Sequence, residues 1–344
     1  MKKTFSAAVA LSVLSAPAMA ANLENPLYMP KQGAVYSKTS AGVMYKIADD
    51  SYAHRRKNHD GATEFPIWRV HEELGYGILD NLEAYAKFGY THDGDIDRKG
   101  MHLGRAGLKY RAFESTDGFV WDVYADAQLG GISEMSGAYT DTGFDYDNYS
   151  NGRWGFHVGT QVGKTWSKLS VAGFAEVLRT FGNDNNSIEL VAIDTESSLG
   201  ILGRAQLTAL GFPDEISVDL KSATEVNAGL KAFYQLDDRW SFGAGFTFKH
   251  HADNGVEGLA SELKTLPSPY AEQQAMLVNG LLDKVADMED GFDEYVINLT
   301  AAYQMTDTMQ VAVYGEYTFD ESHANSQNGT DVKAELGVRL NVQF

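Results

Sequence analysis

Three places in the 344-residue chain carry residue types at spacings that invite chemistry. Asp93-Gly94-Asp95-Ile96-Asp97 opens like a calcium loop, with carboxylates at alternate positions. Arg98 stands where such a loop needs a glycine, and no Glu occupies its twelfth position, so a solvated acidic loop is expected and no metal site is assigned. Ser150 leads Asn151-Gly152-Arg153 with Asn148 and no His immediately upstream, and His157 could act as its base only if the strand geometry brought it near. His250 and His251 are adjacent, which does not chelate as two residues one helical turn apart would. With no cysteine there is no thiolate ligand, disulfide or cysteine nucleophile. These residues predict no enzyme and no cofactor.

A richer set is the charged one. Arg105, Lys109 and Arg111 precede Asp122 and Asp126 across a short connection, and Glu176, Lys231, Glu316, Glu335 and Arg339 follow. Each sits on the polar side of a stretch that alternates with a period of two. Phe119, Trp121, Val123, Ala125, Ala127 and Leu129 interleave with Val120, Asp122, Tyr124, Asp126 and Gln128. Trp154–Val162, Val226–Tyr234, Trp240–Phe248, Tyr295–Tyr303 and Met309–Tyr317 behave alike. That periodicity predicts strands with one apolar and one polar face. At about ten residues, such a strand is long enough to cross a bilayer at a tilt. A Lys or Arg on the lipid side at mid-bilayer costs about 2–4 kcal/mol, so the ten charged residues are expected on the inner face. Arg179 and Lys164 fall on the apolar side near strand ends, where the cost is small. Glu72 interrupts Trp68, Val70, Leu74 and Tyr76 and fits poorly. Arg105, Lys109 and Arg111 are expected to face Asp122 and Asp126, either as a polarised constriction or as a salt-bridged ladder stiffening the wall.

Charge and ends bound the setting. Lys and Arg number 28 against 47 Asp and Glu, which argues against a nucleic-acid partner. Met1-Lys2-Lys3, the apolar stretch Phe5–Pro17 and Ala18-Met19-Ala20 have the form of a secretory signal peptide, residues 1–20. Cleavage would remove two lysines and leave 26 − 47 = −21. Beyond it the chain offers no long uninterrupted apolar run for a membrane helix.

One hairpin recipe is used three times. Tyr76–Leu82, Tyr234–Trp240 and Tyr303–Met309 each set an aromatic, an Asp-containing tight turn and an apolar restart. Short turns also close at 114–118 and 164–168. Long polar loops fall at 48–65, 91–100, 131–153, 182–216, 251–291 and 320–330. About twelve strands are expected, starting near Gly33, Pro66, Leu82, Met101, Phe119, Arg153, Lys168, Ser217, Asp238, Phe292, Met309 and Asp331. Two more would arise if 201–209 formed a hairpin. Residues 187–212 are read as a plug, a constriction loop or an external cap, and 256–289 as helical.

The signal peptide, the hairpin repeat and the last strand, Leu336-Gly337-Val338-Arg339-Leu340-Asn341-Val342-Gln343-Phe344, together resemble the bacterial outer-membrane β-barrel (porin-like) superfamily. The resemblance spans nearly all of the mature chain. It implies an all-β, antiparallel transmembrane barrel over 33–344, a periplasmic segment at 21–32, short periplasmic turns and long extracellular loops. It also implies recognition of Phe344 by the barrel-assembly machinery and contact with outer-membrane lipid and lipopolysaccharide. Ser150-Asn151-Gly152-Arg153 is similar to the motif of outer-membrane phospholipase A and the lipid A deacylases, without their His. The expected function is passive passage of ions and small polar solutes, cation-leaning because of the acidic surface. A non-conducting structural or adhesive barrel with a loop plug is the alternative, and a lipid hydrolase the remote one. Nothing in the sequence identifies an oligomer.

Overall fold

The computed structural model describes residues 22–47, 67–93, 98–129, 135–136, 154–189, 215–252, 256–257, 267, 270–276, 291–320 and 332–344. Twelve strands close into one antiparallel barrel. They are β1 (Val35–Ile47), β2 (Ile67–Leu79), β3 (Leu82–Asp93), β4 (Arg98–Glu114), β5 (Phe119–Gln128) and β6 (Gly155–Trp166). The second half is β7 (Leu169–Thr180), β8 (Thr224–Gln235), β9 (Trp240–His251), β10 (Phe292–Gln304), β11 (Met309–Asp320) and β12 (Val332–Gln343). Every strand pairs with its neighbours in sequence, and β1 closes the ring on β12, Tyr36 opposite Gln343 through Ile47 opposite Val332. A closed ring leaves no unpaired edge, which is what a lipid environment demands.

Burial is inverted relative to a water-soluble core. Leu230, Leu299 and Leu336 are each about 60% exposed on the outside, while Asp122, Gln310 and Asn341 are almost fully buried within. That inversion excludes a soluble sandwich, whose inner faces would be apolar. Aromatic side chains mark both ends of the apolar belt. Tyr76, Phe119, Trp166 and Tyr234 ring the short-turn rim, where Trp240 packs on Tyr303; Trp68, Tyr90 and Trp154 ring the other, where Tyr295 stacks on Phe319. Outward polar groups are satisfied locally. The Trp121 indole donates to Thr160, and Ser37 and Thr39 donate to the Glu72 carboxylate, which therefore stays on the lipid-facing side without a bulge. Lys164 reaches the turn carboxylate of Asp117 at 2.6 Å, and Arg179 bonds Thr224.

The turns show why the hairpin recipe works. Asp237 accepts the amide hydrogens of Arg239 and Trp240, and Thr306 does the same for Thr308 and Met309. In the latter hairpin the acceptor is Thr306 and not Asp307. Those amides hold the Asp237 carboxyl below the ordinary range, and Lys164 with Ser115 holds Asp117 at about 2. Gly118 takes φ +86° to close 115–119, a conformation that favours glycine.

Strand eight begins at Thr224, not near Ser217. Glu215–Leu220 instead pairs with Asn183–Glu189 and with Val256–Glu257 in a separate three-stranded sheet, so the barrel has twelve strands. A short helix occupies 270–276. The proposed hairpin at 201–209, most of the 187–212 and 256–289 loops, the acidic cluster at 94–97 and Ser150 lie outside the described residues.

Candidate functional site

The ten charged residues singled out in the sequence sit on strands β4, β5, β7, β8, β11 and β12 with inward parity. The structure brings some of them together. Arg111 Nε donates to Asp122 at 2.9 Å, and Lys109 approaches the same carboxylate at 3.6 Å. Gln161 Nε2 supplies a further bond at 2.9 Å, so the fully buried Asp122 accepts from Arg111 and Gln161 with Lys109 as a second counter-charge. A bulge between Arg111 and Phe113 then turns Phe113 outward, so the ladder stops there.

Asp126 does not meet the basic row through an ion pair. It accepts from Tyr85 at 2.7 Å and lies 2.7 Å from His157 Nδ1, while His157 Nε2 is 3.3 Å from Glu176. Glu176 also accepts from Tyr124 and Asn227. This belt of buried polar groups crosses β3, β5, β6, β7 and β8. His157 is thus a wall residue clamped by two carboxylates. On the other side, Glu335 is paired with Arg69 at 3.5 Å and accepts from Tyr314. Glu316 stands directly opposite Glu335 in register, and Lys231 opposite Gly245 and Ala172.

The larger surprise is residues 22–34. They turn back inside the short-turn end of the barrel and cross its bore. Asn22 and Asn25 each fold their side chains onto the local backbone, at Glu24 and Leu27, and Pro26 and Pro30 stiffen the remainder. Side chains from all around the wall then grip the segment. Gln235 and Gln310 bond Asn22, Ser170 bonds Asn25, and Gln161 donates to the Pro26 carbonyl. Arg111 donates to the Leu27 carbonyl at 2.6 Å and Lys109 to that of Tyr28 at 3.0 Å. Arg339 places one Nη1 between both Glu24 oxygens, at 2.9 and 3.1 Å, and Asn341 adds a bond at 2.8 Å. Leu27 packs with Val120 and Ala172, in space that a side chain on Gly163 would fill. Arg111, Lys109 and Arg339 are therefore seat residues as much as wall charges. Sequence reasoning missed Gln161, Ser170, Gln235, Gln310 and Asn341. Their only signal was amide and hydroxyl groups at inward positions near the short turns.

Above the seat lies a cavity of about 520 Å³, floored by Leu23, Glu24, Asn25 and Pro26 and walled by Tyr, Lys, Arg and Glu side chains. Its wall charges nearly balance: seven Lys and Arg face six Glu. Among the described residues no cluster of three or more His, Asp or Glu could hold a metal.

No family model matches the chain, and no curated protein matches it. Solved structures do. An outer membrane channel from Pseudomonas putida F1 superposes with a TM-score of 0.53 at 14% identity, covering 94% of this chain and 98% of that one. The NanC porin aligns over 89% of this chain and 98% of its own, at 6% identity and a TM-score of 0.42. At these identities the likeness concerns the fold, which is that of bacterial outer-membrane barrels.

Proposed function

We propose that this outer-membrane β-barrel is a passive channel for ions and small polar solutes, restricted at its periplasmic end by its own N-terminal segment. The observation that carries this reading is the polar, charge-lined cavity of about 520 Å³ inside a closed apolar belt. A barrel that served only as an anchor would gain nothing from a solvated interior. The wall charges near balance leave ionic preference to the acidic remainder of the chain, which concentrates cations at the mouths and makes the channel cation-leaning at low salt. Arg105, Lys109, Arg111, Asp122, Asp126, Glu176, Lys231, Glu316, Glu335 and Arg339 line or brace the passage.

Three further assignments belong to the same reading. Residues 1–20 direct export and 21–32 remain on the periplasmic side, within the mouth. Phe344, whose backbone closes the seam with Val35 and whose ring is exposed, is the handle for the assembly machinery. Acidic loops meet lipopolysaccharide through divalent cations, and no catalysis is assigned.

Single-channel recording of the refolded mature chain in a potassium chloride gradient tests the proposal. Discrete steps with a reversal potential on the cation side are expected. Silence from protein shown to be folded would overturn it. That outcome would favour the second reading, a structural barrel sealed by residues 22–34, for which the dense hydrogen bonding of that segment speaks.

A further inference from the structure

The cavity above the seat treats its two signs of charge differently. Its carboxylates other than Glu316 are bonded, mostly by phenols: Tyr36 bonds Glu73 and Glu83, Tyr124 bonds Glu176, and Tyr314 bonds Glu335. Lys38 and Lys87 share Glu73, at 3.0 and 3.5 Å. Two cations are left over. Arg105 lines the cavity with no hydrogen bond or ion pair to any described residue, and its Nε is a buried donor without an acceptor. Lys231 lines it from β8 and touches only the face of Phe174, 4.6 Å from the ring centroid.

Each of these cations stands near like charge, with Asp126 and Glu176 as the nearby but unbonded counter-charges. Arg105 stands directly opposite Lys87 in the β3–β4 register, and like charges so placed are destabilising. Lys231 feels Lys87 and Lys38 as well as the carboxylates of Glu176 and Glu73, none of them within ion-pair distance. An anion between them offsets the like-charge repulsion and gives each cation a direct partner. The Arg105 fork suits a carboxylate bound through two parallel bonds, and Lys231 is a mobile point charge. The two stand on β4 and β8, four strands apart in a ring of twelve. A compact anion offers its charge to one of them, whereas an elongated dianion offers a carboxylate to each.

We infer that the lumen holds a binding site for a small organic dicarboxylate, bridging Arg105 on one wall and Lys231 on the other above the N-terminal seat. The site names a solute class for the proposed channel and takes its physiological meaning from that reading. It is compatible with a cation-leaning conductance, since the exterior charge governs bulk ions and the two unpaired cations govern what pauses inside.

The test uses the full mature chain refolded in detergent micelles, titrated calorimetrically with succinate, acetate and inorganic phosphate. Succinate is expected to bind at one site per chain and at least about tenfold more tightly than acetate or phosphate, as one additional charged contact implies. Arg105→Gln and Lys231→Gln are each expected to weaken succinate about tenfold, while Lys168→Gln, which removes the same charge at an exposed turn, leaves it unchanged. No succinate binding by folded protein would overturn the inference. So would equal binding of acetate, or binding indifferent to both substitutions. Single-channel recording of the same preparation separates the two proposals. Conductance without succinate binding sinks the site and keeps the channel, whereas succinate binding without conductance keeps the site and sinks the channel.

Discussion

Releasing the segment that crosses the bore should open the barrel, and Glu24→Gln is a small perturbation that tests it. Glu24 is nearly buried and accepts from Arg339 with both oxygens and from Asn341 with one. A charge-assisted hydrogen bond is worth about 1.5–3 kcal/mol, and a glutamine of the same shape keeps one acceptor. Arg339 is 28% exposed, so screening trims the loss, to about 1–2 kcal/mol. That corresponds to roughly tenfold in the equilibrium between seated and released segment. In planar bilayers the fraction of time spent in the larger conductance level should rise about tenfold, with the amplitudes of both levels unchanged. Replacing residues 22–32 by a Gly-Ser stretch of equal length removes the grips made through Asn22, Glu24, Asn25 and Leu27, leaves only those to backbone carbonyls, and should make the larger level predominate. A twelve-stranded barrel has a backbone radius of about 12 Å, so the emptied bore is wide compared with the seated one. If the folded Gly-Ser chain conducts identically to the parent, the segment does not restrict the passage and the reasoning fails.

Other expectations concern the wall. Asp122→Asn leaves Arg111 and Lys109 without their buried counter-charge and should lower unfolding stability in detergent by about 3–5 kcal/mol, whereas Glu114→Gln, at an exposed strand end, should leave it unchanged. Leu230→Arg, on the lipid side at mid-strand, should cost about 2–4 kcal/mol by urea titration in lipid vesicles; a negligible change would mean that this face does not meet the membrane. Lys164→Met should raise the Asp117 carboxyl from about 2 part of the way to its ordinary value, because Ser115 still bonds it, read from its carboxyl carbon shift by NMR. Because that carboxyl is depressed in the folded chain, its contribution is present above about pH 4 and fades as pH falls through about 2; the Met variant should keep only the part that Ser115 supplies.

What the sequence made legible was local. A period of two assigns each side chain to a face, so the inward positions of Arg105, Lys231 and Glu335 follow from their apolar neighbours alone. Arg111 opposite Asp122 follows from one short hairpin. Partnerships that leap along the chain were not legible. Asp126 finds Tyr85 and His157, 41 and 31 residues away, because β3, across the intervening β4, and the adjacent β6 place them there and no spacing encodes it. Strand eight starts at Thr224 because Glu215–Leu220 finds partners outside the barrel, although its alternation would serve either sheet. The N-terminal seat is the extreme case. Its complement is spread over Gln161, Ser170, Gln235, Gln310 and Arg339, each an ordinary inward polar residue until the ring closes. Glu72 was the reverse, conspicuous in sequence and settled by two hydroxyls on the adjacent strand.

The bond from Glu24 to Arg339 and Asn341 joins residues 315 and 317 positions apart, and it lies beside the seam where β1 meets β12. The groups that receive Glu24 come from the last strand, while Glu24 itself lies just ahead of the first. The segment therefore seats late in folding, and once seated it ties the two strands that must separate first if the cylinder is to unzip. Stability of this kind is a matter of lifetime more than of equilibrium. The N-terminal residues act as a latch on the seam: a chain without them would fold to the same twelve strands at a similar rate, and would come apart faster.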